Sequence, residues 1–283
     1  MPYITTEYSR ITGLGNKLFP WALAKIFAQE TRLPMLHQRW VSIRGGSIIR
    51  GGIDYSKVIK SILLFDNFRD LPEECSIHRA VGMVRTFVKD LNAARHLPIK
   101  SLEGVVVFSA FSEHNFIELT PYRDFLRNEF HRIVKPKWIA DTATRLPERY
   151  VCMNIRWGND YKVTSDPRVA YRKTPIEWFI SSAKALRSRG VGLPIVIVSD
   201  GGPALLKFFA GIEGVTFFSS KSAVGDLLAV MNADLILGSG PSSFTAWGAF
   251  MSGRPYFSCP STPHDKYLLP PFESDPLDIK AIF

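Results

Sequence analysis

Arg156 is the residue of this sequence best suited to hold an anion. It lies in Asn154-Ile155-Arg156-Trp157-Gly158-Asn159-Asp160-Tyr161. A guanidinium offers a planar fork of donors that can clamp a diphosphate bidentately, a geometry lysine cannot copy. The apolar run Tyr150–Ile155 precedes it and reads as a buried strand, so alternation puts Asn154 and Arg156 on one face. A plain interdomain salt bridge between Arg156 and Asp160 would explain the same residues.

Three other stretches carry comparable chemistry. In Gly238-Ser239-Gly240-Pro241-Ser242-Ser243-Phe244, small residues let backbone approach a phosphate, and the Ser242 and Ser243 hydroxyls stand at the positive end of the next helix. Ordinary capping by serine is the competing explanation. Gly13-Leu14-Gly15-Asn16 turns a strand into a helix and can aim N–H groups at a phosphate. It is not a full dinucleotide fingerprint, since Leu18 stands where a third glycine is needed, and it lacks the Gly-Lys-Ser/Thr of a P-loop. A tight structural turn explains it equally well. Asp200, in Ser199-Asp200-Gly201-Gly202, could accept hydrogen bonds from a ribose or from the N1–H/N2–H edge of guanine, or could cap a helix.

The elements that must position these residues read most clearly in the second half. Strands are expected at Tyr150–Ile155, Pro194–Val198, Val215–Phe218, Leu235–Gly238 and Tyr256–Ser258. Helices are expected at Pro175–Arg189, Pro203–Ala210, near Gly225-Asp226, and at Ser243–Ser252. Continuous apolar strands alternating with helices indicate an α/β fold with a parallel sheet covered on both faces. Ligands of such sheets bind beyond the carboxyl ends of the strands, and every second-half stretch singled out above follows a strand end.

In the first half, Tyr3–Thr5 reads as a strand and is followed by a helix to Thr31 with Leu18, Ala22 and Ile26 on one face. Pro20 is expected in the first turn of that helix, where proline is tolerated. Gly45-Gly46 and Gly51-Gly52 frame a polar loop, Val105–Ala110 is a strand and Pro121–Ile133 a helix. Residues 135–148 read as a linker, dividing the chain into domains 1–147 and 148–283.

Composition narrows the partners. The net charge of +9 is uneven: residues 1–147 hold 21 Lys+Arg against 14 Asp+Glu, and residues 148–283 hold 14 against 12. A basic first half would attract an acidic acceptor or an anionic membrane surface, with a generally solvated basic surface as the commoner explanation. The basic residues are scattered, which argues against nucleic acid. Cys75, Cys152 and Cys259 suit a reducing compartment, and the six histidines show no metal spacing. No signal-like N-terminus and no run of about 18 apolar residues occurs. The expected location is the cytoplasm.

Three segments, in order, resemble the α-1,2-fucosyltransferases and the wider fucosyltransferase superfamily. Gly13-Leu14-Gly15-Asn16-Lys17-Leu18-Phe19 resembles the family's Gly-Gly-Leu-Gly-Asn-Gln-Met-Phe start. The Asn154–Tyr161 stretch is similar to its His-x-Arg-Arg-Gly-Asp-Tyr motif. Ser242-Ser243-Phe244-Thr245-Ala246-Trp247-Gly248 is similar to its Asn-Ser-Ser-Phe-Ser-Trp-Trp-Gly block, and Asp200 and Asp226 match weaker family positions.

The resemblance implies a GT-B fold, two Rossmann-like domains facing across a cleft. It implies inverting, metal-independent transfer of L-fucose from GDP-fucose to a glycan hydroxyl, with no cofactor beyond the co-substrate. Arg156, Asn154 and Asp160 become the catalytic candidates. Gly13, Gly15, Asn16, Asp200, Asp226, Ser242, Ser243 and Phe244 become the donor-binding candidates. An oligosaccharide acceptor, lipid-linked at the inner face of a bacterial membrane, would fit the charge asymmetry. The chain departs from the family at Asn154, which stands for histidine and cannot take a proton, and at Trp157, which stands for a second arginine. One residue is also inserted before Asp160. Glu113 and His114 are further general-base candidates. Absence of any Asp-x-Asp pair counts against the metal-bridged site of the other large glycosyltransferase fold. Three rival readings stay open: another donor sugar, a non-catalytic nucleotide- or sugar-binding protein, and a Rossmann oxidoreductase.

Overall fold

The structure is a computed structural model. It describes residues 2–7, 13–37, 68, 75–76, 82–109, 116–158, 173–220, 222–240 and 242–259. The glycine pairs at 45–46 and 51–52, the base candidates Glu113 and His114, and Asp160 lie outside those residues.

The first half contains β1 (Tyr3–Thr6), α1 (Leu14–Thr31), β2 (Leu36–His37), β3 (Cys75–Ser76), β4 (Arg85–Val88), α2 (Leu91–Arg95) and β5 (Val105–Phe108). Helices α3 (Arg123–Ile133) and α4 (Pro136–Arg145) follow. The second half contains β6 (Val151–Ile155), α5 (Ile176–Ser188), β7 (Ile195–Ser199), β8 (Val215–Phe218), α6 (Ala223–Met231), β9 (Leu235–Gly238), α7 (Ser243–Ser252) and β10 (Tyr256–Ser258). One parallel sheet has the order β1-β5-β4 and a second has the order β10-β9-β6-β7-β8.

The central strand β6 is buried at every position, its one polar residue Asn154 included, as expected of a sheet covered on both faces. Alternation divides its side chains. Val151, Met153 and Ile155 pack with Phe179, Ala183 and Leu186 of α5. Cys152 faces the other layer, with Leu227 and Val230 of α6 and Trp247 of α7. Burial pushes the Cys152 thiol well above its ordinary range, so this cysteine packs as an apolar side chain rather than reacting.

That second layer continues without a break into the first half. Helix α1 lies between its own sheet and α7, and Leu14, Gly15 and residues 17–27 are all buried. Packing on both sides explains why its apolar residues encircle the helix instead of forming one stripe. Its buried Lys25 pairs with Glu129 of α3 at 3.2 Å.

Several expectations need correction. Residues 135–148 are not a linker: most of them form α4, opened by Pro136 at its first position and anchored by buried Thr142. Proline at N1 starts helices, and a ten-residue helix with one buried face looks polar in sequence. Pro20 is not in the first turn but is the seventh residue of α1. It deprives the Asn16 carbonyl of its usual helical donor, a cost of about 3 kcal/mol that the helix's burial outweighs. Residues 203–209 form a 3-10 helix rather than an α-helix, and Thr120–Tyr122 is a 3-10 turn before α3. Strand β4 and α2 were not foreseen, because Arg85 and Thr86 interrupt the apolar pattern at a sheet edge.

Candidate functional site

Sheet order creates the site. From β6 the chain builds outward through β7 to β8, then crosses back to lay down β9 and β10 on the other side. Loops leaving β6 and β9 therefore run to opposite faces of the sheet, and such a switch point is where open parallel sheets form a ligand crevice beyond the strands' carboxyl ends. Arg156, Trp157 and Gly158 follow β6, and Ser239, Gly240 and Ser242 follow β9.

The two walls are joined by hydrogen bonds. Ser239 N donates to the Asn154 carbonyl at 3.0 Å, and Arg156 N donates to Ser239 Oγ at 2.9 Å. The Asn154 side chain is buried; its Nδ2 donates to the Val198 carbonyl at 3.1 Å, and its Oδ1 accepts from Thr245 Oγ1 at 2.5 Å. Both polar ends of Asn154 are thus engaged by protein, tying β6 to β7 and to α7. Asn154 thereby fixes the end of β6, while its amide keeps one further N–H and one further lone pair.

The Arg156 guanidinium pairs with Asp200, Nη1 lying 2.5 Å from Asp200 Oδ2; Asp160, the partner suggested by the sequence, lies outside the described residues. Asp200 Oδ1 accepts from Trp157 N at 2.6 Å and from Gly158 N at 3.0 Å. One carboxylate thereby shapes the whole turn after β6 and orients its arginine. Both of its oxygens are thus engaged by this turn.

Helix α1 reaches the same place from the first half. A Cβ added at Gly15 would lie 2.6 Å from Phe244 N and 2.7 Å from Ser243 C and Oγ. The first turns of α1 and α7 are therefore in backbone contact, which brings two positive helix ends together. Gly13 caps α1 without a side-chain hydrogen bond, whereas Ser242 caps α7 by accepting from Thr245 N at 3.3 Å. The capping explanation of Ser242 is correct. Asn16 lies one residue beyond this contact, and its buried Oδ1 has no hydrogen-bond partner among the described residues.

Gly15→Ala is accordingly expected to cost about 1–3 kcal/mol, because backbone atoms cannot yield as a flexible side chain would. Gly192→Ala, where nothing lies within 4 Å, is the control. Equal melting temperatures for the two variants would show that the helix ends are not held in contact.

Asp226 is set apart from this cluster. Its Oδ1 accepts from Ser220 N at 2.6 Å and closes the loop after β8, and β7 stands between that strand and β6. Conversely, sequence reasoning passed over four residues of the site. Ser239 bonds Arg156 and Thr245 bonds Asn154. Buried Thr174 accepts from Gly240 N at 3.2 Å. Lys173 sits with its Nζ 4.5 Å from the centroid of the Trp157 ring. Ser239 and Thr245 lay inside quoted motifs; Lys173 and Thr174 gave no signal beyond preceding a helix. Among the described residues no group of three or more His, Cys, Asp or Glu is placed to hold a metal ion, and no helix is long and apolar enough to cross a membrane.

No family model and no curated protein sequence matches the chain. Solved structures do. The chain is similar to the NodZ α-1,6-fucosyltransferase soaked with GDP-fucose at 13% identity and a TM-score of 0.55, over 92% of this chain and 96% of that one. It is similar to the same enzyme co-crystallised with GDP at 13% identity and a TM-score of 0.52, over 87% and 91%. The NodZ fucosyltransferase from Bradyrhizobium matches at 13% identity and a TM-score of 0.51, over 87% and 91%. At this identity the likeness establishes the fold: two parallel-sheet halves arranged as in the GT-B fold.

Proposed function

We propose that this chain is a glycosyltransferase that moves L-fucose from GDP-fucose to a hydroxyl of a glycan acceptor, inverting the anomeric centre and needing no metal. The observation that carries this reading is the crevice between β6 and β9, with Arg156 on one wall, the Ser239–Ser242 turn on the other and the first turn of α1 closing on it at Gly15. The shared fold with a fucosyltransferase soaked with GDP-fucose supports the choice of donor.

In the proposed reaction the acceptor oxygen attacks the anomeric carbon as the bond to the diphosphate oxygen breaks. The bonding pair leaves with GDP, and the acceptor proton passes to a base or to water. Asp160, Glu113 and His114 remain the base candidates. Negative charge grows on the departing diphosphate, and Arg156 with the two helix ends is placed to stabilise it. The motif resemblance supports an α-1,2 linkage, and the basic first half would fit a lipid-linked bacterial surface polysaccharide acceptor at an anionic membrane. Linkage analysis of the product checks the former. Binding to anionic vesicles at low salt, abolished in their neutral counterparts, checks peripheral attachment to the inner face of the membrane.

Thermal shift with GDP, UDP, dTDP, ADP and NAD, each with and without EDTA, tests the donor site. GDP near a hundred times its dissociation constant should add about 2.7 kcal/mol of stability. The rise should be selective for GDP and unchanged by EDTA. A rise with another nucleotide only would replace the donor, and no rise at all would remove the site. The engaged side chain of Asn154 favours one alternative, a binding protein that retained the fold. Tight GDP binding without turnover on any acceptor would establish that alternative.

A further inference from the structure

Arg156 does not by itself balance a diphosphate, because its charge already faces Asp200 at 2.5 Å. A nucleoside diphosphate brings more than one negative charge, so a site for it needs a further cation. Lys173 is in place to be that cation. Its ammonium has no carboxylate partner among the described residues and lies 4.5 Å from the centroid of the Trp157 ring, where the face of an indole holds a cation without neutralising it.

The indole is itself immobilised. A Cβ at Gly201 would lie 2.7 Å from Trp157 Cβ, and the Trp157 backbone is held by Asp200. The residue after Lys173 is Thr174, whose buried hydroxyl accepts from Gly240 N at 3.2 Å. The dipeptide thus runs from the turn after β6 to the turn after β9, touching both walls of the crevice. We infer that Lys173, steadied on Trp157, is a specificity-determining residue that pairs with the diphosphate oxygens Arg156 leaves unneutralised. This rests on the reading of the crevice as a nucleotide-sugar site.

The test is calorimetric, on the full chain, with GDP and with guanosine as the uncharged probe. Lys173→Met is expected to weaken GDP roughly 10- to 100-fold, the loss typical of a charge-assisted contact, and to leave guanosine unchanged. Lys173→Arg should retain most of the GDP affinity, and the wild-type preference for GDP over guanosine should shrink as salt is raised. Lys173→Gln, with melting temperatures taken without ligand, guards against a folding defect in the methionine variant. A Lys173→Met protein that binds GDP as tightly as wild type overturns the inference while leaving the donor site standing. Equal losses for GDP and guanosine overturn it as well, since they mark a structural role. A wild-type protein that binds no nucleotide overturns the donor-site reading itself, an outcome distinct from both.

Discussion

Arg156→Ala is expected to lower turnover about 100-fold, equivalent to roughly 3 kcal/mol of lost transition-state stabilisation. The charge that forms as the sugar departs lies on the diphosphate, and a contact that strengthens with that charge acts on the chemical step more than on donor binding. The Arg156 side chain is only 26% exposed, so water replaces it poorly. Folding should survive the change, because Asp200 still accepts from Trp157 N and Gly158 N. Arg156→Lys should recover charge but not the fork geometry and should fall between alanine and wild type. The measurement is steady-state kinetics with GDP-fucose, separating kcat from KM. An alanine variant with near-normal kcat would remove Arg156 from the mechanism.

Trp247→Ala is expected to have the largest effect on stability, a loss of about 3–5 kcal/mol. Trp247 is fully buried, and its ring lies 5.0 Å from Phe19, 4.8 Å from Phe116 and 5.5 Å from Phe250, centroid to centroid. Those partners come from α1, from the segment before α3 and from α7 itself. The residue therefore holds the two halves together as well as filling a core. Trp247→Phe should cost much less, since it keeps an aromatic ring and removes an indole N–H that has no hydrogen-bond partner among the described residues. Urea denaturation measures both. In the alanine variant the joint between halves is cut, and the single transition expected of wild type should broaden or split. A loss below about 1 kcal/mol would mean that the halves are stabilised independently of this cluster.

These two residues differ in how visible they were. Arg156 is a visible candidate: an arginine after a strand, in a motif with a glycine and an aspartate, suits either an anion or a salt bridge. Trp247 lies in a quoted motif, but nothing local says that its ring meets Phe19, more than two hundred positions earlier. Lys173 sits between them. Its type is suggestive, yet the sequence offers many lysines and no reason to prefer this one.

The same division holds for the candidate site as a whole. Asn154 and Arg156 share a face by simple alternation, and both were found. Alternation does not reveal that Asn154 meets Thr245, 91 residues away, and the Val198 carbonyl of the neighbouring strand. No local pattern pairs Arg156 with Asp200, which follows the adjacent strand β7 and lies 44 positions later in the chain.

What the amino-acid sequence determined alone was periodicity and punctuation. Strands buried on both faces must be continuously apolar, helices between them must repeat at about 3.6 residues, and backbone that turns or approaches a ligand closely favours glycine and serine. From these followed the α/β class, most elements of the second half and the strand ends that carry Arg156, Asp200 and Ser242. Tertiary structure decided which strand lies beside which, and with it every partner choice in the site. The order β10-β9-β6-β7-β8 is set by burying both faces of one sheet at once, a condition on the whole chain that no local pattern records. The contact of Gly15 with Phe244 and the position of Lys173 over Trp157 come from that same global packing.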